Sequence, residues 1–86
     1  MRFVVEIVVR RKAGVADPEG STITEALERL GYQNIQNVRI ARMFRITVNA
    51  ENVNSAEEIS RTIAKEVLAN PVIEEFSIHK IEEITD

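Results

Sequence analysis

The sequence predicts an α+β fold: a two-layer sandwich of order β-α-β-α-β, with two helices packed on one face of an antiparallel sheet. Apolar residues recur with a period of two in segments 2–10, 38–48 and 73–80, as in strands. The two segments between them carry apolar residues at helical spacing, and such helices need a sheet face to cover. With 86 residues, 44% of them hydrophobic, we expect one domain spanning 1–86.

The amino-acid composition argues against several classes of protein. Eleven basic and 14 acidic residues give a net charge of −3, which argues against a nucleic-acid partner. The absence of cysteine excludes disulfides, thiolate catalysis and cysteine zinc sites, and it fits a cytoplasmic protein. No apolar run exceeds three residues, so we expect no membrane span.

The first strand and the loop after it come from segment 2–20. Residues 2–10 place apolar side chains on both faces of the strand, so we expect a central strand. Two glycines and the Asp17-Pro18 step then predict a loop of about ten residues. Long loops in small domains are often functional or disordered.

The first helix is predicted to begin at a cap formed by Ser21 or Thr22 and to end at Leu30, before Gly31. Its apolar residues fall at i, i+3, i+4 and i+7 and form one stripe. The stripe consists of Ile23, Ala26, Leu27 and Leu30.

The second strand, 38–48, contains one residue that breaks its apolar pattern. Its even positions are apolar except for Arg42. A β-bulge near residues 41–43 would split the strand and rotate this guanidinium out of the core. Otherwise Arg42 needs a partner or a subunit contact, because an unpaired charge facing a hydrophobic core is costly.

The second helix is predicted to begin with a capping box, Ser55 with Glu58, and to stop at Asn70-Pro71. Its predicted buried stripe comprises Ala56, Ile59, Ile63, Ala64, Val67 and Leu68. A last strand follows. A sheet this small leaves edges uncovered, so we expect it to pair in an oligomer.

The chain offers no catalytic, cofactor-binding or metal-binding candidate. His79 is the single histidine, and no Gly-rich phosphate loop is present. Arg39, Arg42 and Arg45 suit either an anion or ion pairs across a protein interface. We therefore expect no intrinsic activity from the isolated chain.

Four stretches resemble the PurS family, the small subunit of phosphoribosylformylglycinamidine (FGAM) synthase. Residues 14–20 resemble its G-V-x-D-P-x-G signature, and residues 26–32 its A-L-x-x-L-G-[FY] helix end. Residues 38–40 resemble its V-R-x strand start, and residues 68–76, which read L-A-N-P-V-I-E-E-F, are close to its L-x-A-N-P-V-I-E-[DE]-[YF] ending but one position shorter. The chain departs at Ala41-Arg42, where the family usually has Gly-Lys.

This resemblance implies a non-catalytic subunit of a complex that makes FGAM from formylglycinamide ribonucleotide (FGAR), glutamine and ATP. The small subunit would bridge a glutaminase and an ATP-dependent synthetase, assist ammonia transfer, and self-associate as a dimer or tetramer. ATP and Mg²⁺ would belong to the synthetase. The expected partner contacts are Asp17, Pro18, Gly20, Arg39 and Arg42.

Two other classes stay open. One is a stand-alone ferredoxin-like regulatory domain that binds a small molecule, since such domains share the two-layer architecture. The other is a decayed catalytic homologue that holds a phosphorylated substrate through Arg39, Arg42 and Arg45.

Overall fold

A computed structural model of the chain describes residues 1–85. Its three strands form one antiparallel sheet in the order β2-β1-β3. The predicted α+β class, the element order and the central first strand are confirmed. The elements are β1 (Arg2–Arg11), α1 (Pro18–Arg29), β2 (Ala41–Asn49), α2 (Val53–Ile63), a π-helical segment (Ala64–Leu68) and β3 (Glu74–Ile84).

The core lies between α2 and one face of the sheet. Alternate residues of β1 supply its centre, namely Phe3, Val5, Ile7 and Val9. α2 contributes Ala56 and Ser60, and the π-helical segment contributes Ala64; these small residues are fully buried and allow a close approach to the sheet. The predicted buried stripe of this helix is therefore partly wrong, because Ile59 and Val67 are exposed.

The strand directions determine where each helix lies. Both β2 and β3 begin beside the end of β1, at the pairs Arg10↔Ala41 and Arg11↔Glu74. The chain from β2 to β3 must therefore return along the whole sheet, and this places α2 over its face. The antiparallel step from β1 to β2 needs no such crossing. Within residues 1–85, α2 is consequently the helix that packs extensively on the sheet, and α1 lies at the sheet's end.

Both helices begin earlier than predicted. Asp17 caps α1, with Pro18 in the first turn, where its fixed φ and missing N–H are tolerated. Asn52 caps α2, because its Oδ1 accepts a hydrogen bond from the Ser55 N–H at 2.8 Å. The predicted caps at Ser21 or Thr22 and at Ser55 are therefore wrong.

The predicted bulge in the second strand is also wrong. The register between β1 and β2 is continuous from Arg2↔Asn49 to Arg10↔Ala41. The irregularity lies instead between β1 and β3, where Glu6 faces Lys80 and Ile7 faces Ile78. This shift leaves His79 as the extra residue of β3.

Candidate partner-contact site

Three of the four stretches that resemble the PurS signatures, residues 14–20, 38–40 and 68–76, meet at one end of the sheet. The Lys12 N–H donates to the Ile73 carbonyl at 2.9 Å, and Lys12 Nζ donates to the Pro71 carbonyl at 2.8 Å. We call this region, formed by residues 12–20, 38–42 and 70–74, the signature end. Segments far apart in the sequence are thus joined there.

Asp17 fastens α1 to the segment that leads into β2. Its Oδ1 accepts from the Gly20 N–H at 3.0 Å, and its Oδ2 accepts from the Ile40 N–H at 2.7 Å. These two hydrogen bonds, the Ile40 bond foremost, lower the pKa of Asp17, and the nearby Arg11 and Arg39 lower it further against the effect of burial. Asp17 is only 6% exposed, so its role is to fix the backbone of the signature end through these internal hydrogen bonds.

Gly20 is buried where α1 passes the backbone of the same segment. A Cβ at this position would collide with the Val38 carbonyl oxygen and lie 2.9 Å from Asp17 Oδ2. Thr24 supports this close approach, because its Oγ1 accepts from the Val38 N–H at 2.9 Å and donates to the Gly20 carbonyl at 2.8 Å. Position 20 therefore requires glycine for space.

Arg39 holds the loop between β1 and α1. Its Nη1 donates to the Val15 carbonyl at 3.0 Å, and its Nη2 donates to the Lys12 carbonyl at 3.3 Å. Arg11 adds a bond from Nη1 to the Ala16 carbonyl at 2.6 Å. The guanidinium of Arg39 thus satisfies backbone acceptors of its own chain.

Arg42 lies on the core side of the sheet, opposite Val9, at the edge of the signature end. Its Nη2 lies 3.3 Å from Glu74 Oε2, and its Cζ lies 5.5 Å from the centre of the Phe44 ring. Glu74 of the same chain is therefore the partner of Arg42, so the charge of Arg42 does not by itself require a contact with another subunit. The Arg42 side chain remains 58% exposed, so it is still accessible to another protein.

Glu74 was missed by sequence reasoning, although it organises the turn before β3. Its Oε1 accepts from the Asn70 N–H at 2.7 Å, and its N–H donates to the Asn70 carbonyl at 2.7 Å. The available signal was the Asn70-Pro71 step followed by an acidic residue, which is typical of a side-chain-capped turn.

The predicted contact residues divide into two groups. Asp17 and Gly20 are buried within the signature end, whereas Pro18, Arg39 and Arg42 are exposed on it, and Arg39 also holds the loop through its hydrogen bonds. Arg45 belongs elsewhere, because it pairs with Glu6 at 3.0 Å on the opposite face of the sheet. The three arginines do not converge, so the structure does not form the anion site that a decayed enzyme would need.

Within residues 1–85, no three potential side-chain ligands cluster in a way that could hold a metal ion. In the same residues, none of the helices has the length and apolar character needed to cross a bilayer.

Fold and site define a small α+β domain whose distinctive residues shape one end of its sheet. The family model "PurS: Phosphoribosylformylglycinamidine (FGAM) synthase" matches residues 4–82. Subunit PurS of phosphoribosylformylglycinamidine synthase from Methanocaldococcus jannaschii is 38% identical over 82 residues, covering 95% of this chain and 98% of that protein.

Solved structures agree with the sequence comparison. Thermus thermophilus PurS has a TM-score of 0.87 at 29% identity and covers 99% of this chain and 100% of its own. A chain of PurLQS from Thermotoga maritima has a TM-score of 0.81 at 31% identity, with 98% and 99% covered. The chain belongs to the PurS family and is a subunit of FGAM synthase, an enzyme of purine biosynthesis. The stand-alone regulatory domain is not favoured.

Proposed function

We propose that this chain is the non-catalytic small subunit that joins the glutaminase and the ATP-dependent synthetase of FGAM synthase. In this role it supports the conversion of FGAR, glutamine and ATP to FGAM and assists ammonia transfer between the two catalytic subunits. ATP and Mg²⁺ are held by the synthetase. The observation that carries the proposal is the family match over residues 4–82, supported by the similarity to a chain of PurLQS.

We propose that the chain works in the cytoplasm as one domain spanning residues 1–86. The cysteine-free composition fits a reducing compartment. We also propose that it binds neither nucleic acid nor membrane, in keeping with its net charge of −3.

Self-association as a dimer or tetramer is part of the proposal. The radius of gyration is 16.6 Å, whereas a compact chain of this length has about 12 Å. The accessible surface is 6243 Å² for 9.7 kDa, against about 5,100 Å² for a typical monomer. The excess of roughly 1,100 Å² is comparable with one partner's share of a stable interface, about 800 Å².

The exposed part of the signature end is the proposed contact with the catalytic subunits. Pro18 presents a rigid ring at the start of α1, and Arg42 presents a guanidinium whose remaining donors face solvent. Asp17, Gly20 and Arg39 contribute indirectly by fixing the backbone that carries these two side chains. The expected contact is therefore one preorganised surface.

Size-exclusion chromatography of the chain with the purified glutaminase and synthetase tests this proposal. We expect all three polypeptides to elute together, and the two catalytic subunits to separate when the chain is omitted. Arg42→Ala should weaken the complex, whereas Arg61→Ala, a matched arginine that is 53% exposed on α2, should not. A stable complex of the catalytic subunits without this chain would contradict the proposal.

A further inference from the structure

The turn that leads into β3 carries apolar side chains that the fold does not bury. Val72 is 78% exposed, and Pro71 beside it is exposed as well. Both belong to the stretch 68–76, which resembles a family signature, yet the hydrogen bonds described above give a structural role only to Asn70 and Glu74 in it. The apolar side chains of this stretch therefore remain to be explained.

This turn is held in one shape by hydrogen bonds from two sides. Asn70 Oδ1 accepts from the Val72 N–H at 3.0 Å, and Asn70 in turn donates its N–H to Glu74 Oε1. From β1, Lys12 donates to the carbonyls of Pro71 and Ile73. Val72 is consequently presented at a fixed position, and little ordering is needed when another molecule binds it.

A depression of about 210 Å³ lies beside the turn, with an apolar surface formed by Ala69, Pro71 and Phe76. Phe76 is only partly buried by its own chain. The helical layer ends here in a wide π-type turn, in which the Ala69 N–H donates to the Ala64 carbonyl at 2.9 Å, and such turns are frequent at functional sites. Pockets for small molecules measure about 300–1,000 Å³, so this depression suits a single apolar side chain.

The rim of the depression carries a surplus of positive charge. Lys12 and Lys65 are exposed there, together with the acidic residues Glu74 and Glu75. Glu74 is already paired with Arg42 at 3.3 Å, and Glu75 lies opposite an arginine of β1. The two lysines therefore favour a ligand that brings a carboxylate beside its apolar side chain.

We infer that Val72 and this depression form a docking point for a catalytic subunit of FGAM synthase, which inserts an apolar side chain flanked by a carboxylate. The inference rests on the proposed function and extends its contact surface to the end of the helical layer. A catalytic subunit is the favoured occupant because the two surfaces are continuous: Glu74 lines the depression and also holds Arg42, which is proposed to face the same partner.

Biolayer interferometry with the purified glutaminase and the purified synthetase, each measured separately, tests the docking point. Val72→Ser should bind one of the two subunits at least about tenfold more weakly than the unaltered chain, because a buried valine contact is lost. The matched control is Val53→Ser at the start of α2, where the valine is 50% exposed, and its affinity should change by less than about twofold.

The charge of the rim is tested in the same assay with Lys65→Glu and Lys65→Arg. Lys65→Glu should bind about tenfold more weakly and show a smaller dependence on salt, whereas Lys65→Arg should bind normally. Unchanged binding by both Val72→Ser and Lys65→Glu would overturn the inference and leave the proposed function standing. Absence of binding by the unaltered chain to either subunit would instead refute the proposed function, and the inference with it.

Sedimentation equilibrium separates this reading from a contact between copies of the chain. We expect Val72→Ser to have the same mass as the unaltered chain at equal concentration. A lower mass for Val72→Ser would assign the surface to self-association and would overturn the inference.

Discussion

Replacing Gly20 with alanine tests how the signature end is built. The added methyl group would collide with the Val38 carbonyl oxygen, and backbone cannot rotate away as a side chain can. Overpacking of this kind costs about 1–3 kcal/mol. Displacing Val38 also breaks its hydrogen bond to Thr24 Oγ1, worth about 1 kcal/mol. The better helix propensity of alanine returns about 0.8 kcal/mol, so we expect a net loss of about 2 kcal/mol.

Urea unfolding followed by circular dichroism, at one fixed protein concentration, measures this loss. The matched control is Ser21→Ala at the next, exposed position of α1, where we expect a change within about 0.5 kcal/mol. Gly20→Ala should also reduce hydrogen-exchange protection of the Val38 and Ile40 amides. If Gly20→Ala and Ser21→Ala had equal stability, the close approach of α1 to residues 38–40 would not contribute to the fold.

Three further predictions concern Ser60, Asp17 and Arg42. Ser60→Ala should raise the free energy of unfolding by about 1 kcal/mol, because Ser60 Oγ is buried and has no hydrogen-bond partner among residues 1–85; a loss in urea unfolding would contradict this. The pKa of Asp17 lies below its ordinary value of 3.8, so its stabilisation is complete above that pH and is lost as the pH falls through the folded-state pKa. Acid unfolding should therefore be shallower in Asp17→Asn, and identical slopes would refute the assignment. Arg42→Ala should cost less than about 1 kcal/mol of stability, since the pair with Glu74 is largely exposed on the arginine side. If the complex buries this guanidinium as one half of an interfacial charge pair, titration calorimetry should show that Arg42→Ala weakens assembly by about 2–5 kcal/mol, and unchanged affinity would make Arg42 a surface residue only.

Local sequence patterns predicted most of the secondary structure. The apolar residues on both faces of 2–10 predicted a shielded strand at the centre of the sheet, and the central position was confirmed. The predicted start of α1 was wrong for a local reason. Asp17-Pro18 was interpreted as a break, although Asp at the cap followed by Pro is equally a helix start.

The environment of Arg42 could not be predicted from its own strand. Whether it faces Glu74 depends on the pairing of β1 with β2 and of β1 with β3, and residues 42 and 74 are far apart in the sequence. The sequence also did not indicate that the bulge falls at His79. The register of an edge strand is fixed by the strand beside it.

The position of α1 at the end of the sheet follows from the order and direction of the strands. Ile23 and Leu30 have the spacing of a helix that covers a sheet, and that pattern is the same whether the sheet belongs to the same chain or to another. The antiparallel step between β1 and β2 leaves the stripe exposed, which residue spacing alone does not reveal.

The most direct test of the account compares two nitrogen sources in reconstituted FGAM synthase. FGAM formation from FGAR and ATP is measured with glutamine or with ammonium as the donor, with and without this chain. We predict that glutamine-dependent synthesis requires the chain, because it joins the glutaminase to the synthetase, whereas ammonium-dependent synthesis proceeds without it. Glutamine-dependent synthesis at full rate in the absence of the chain would contradict the account.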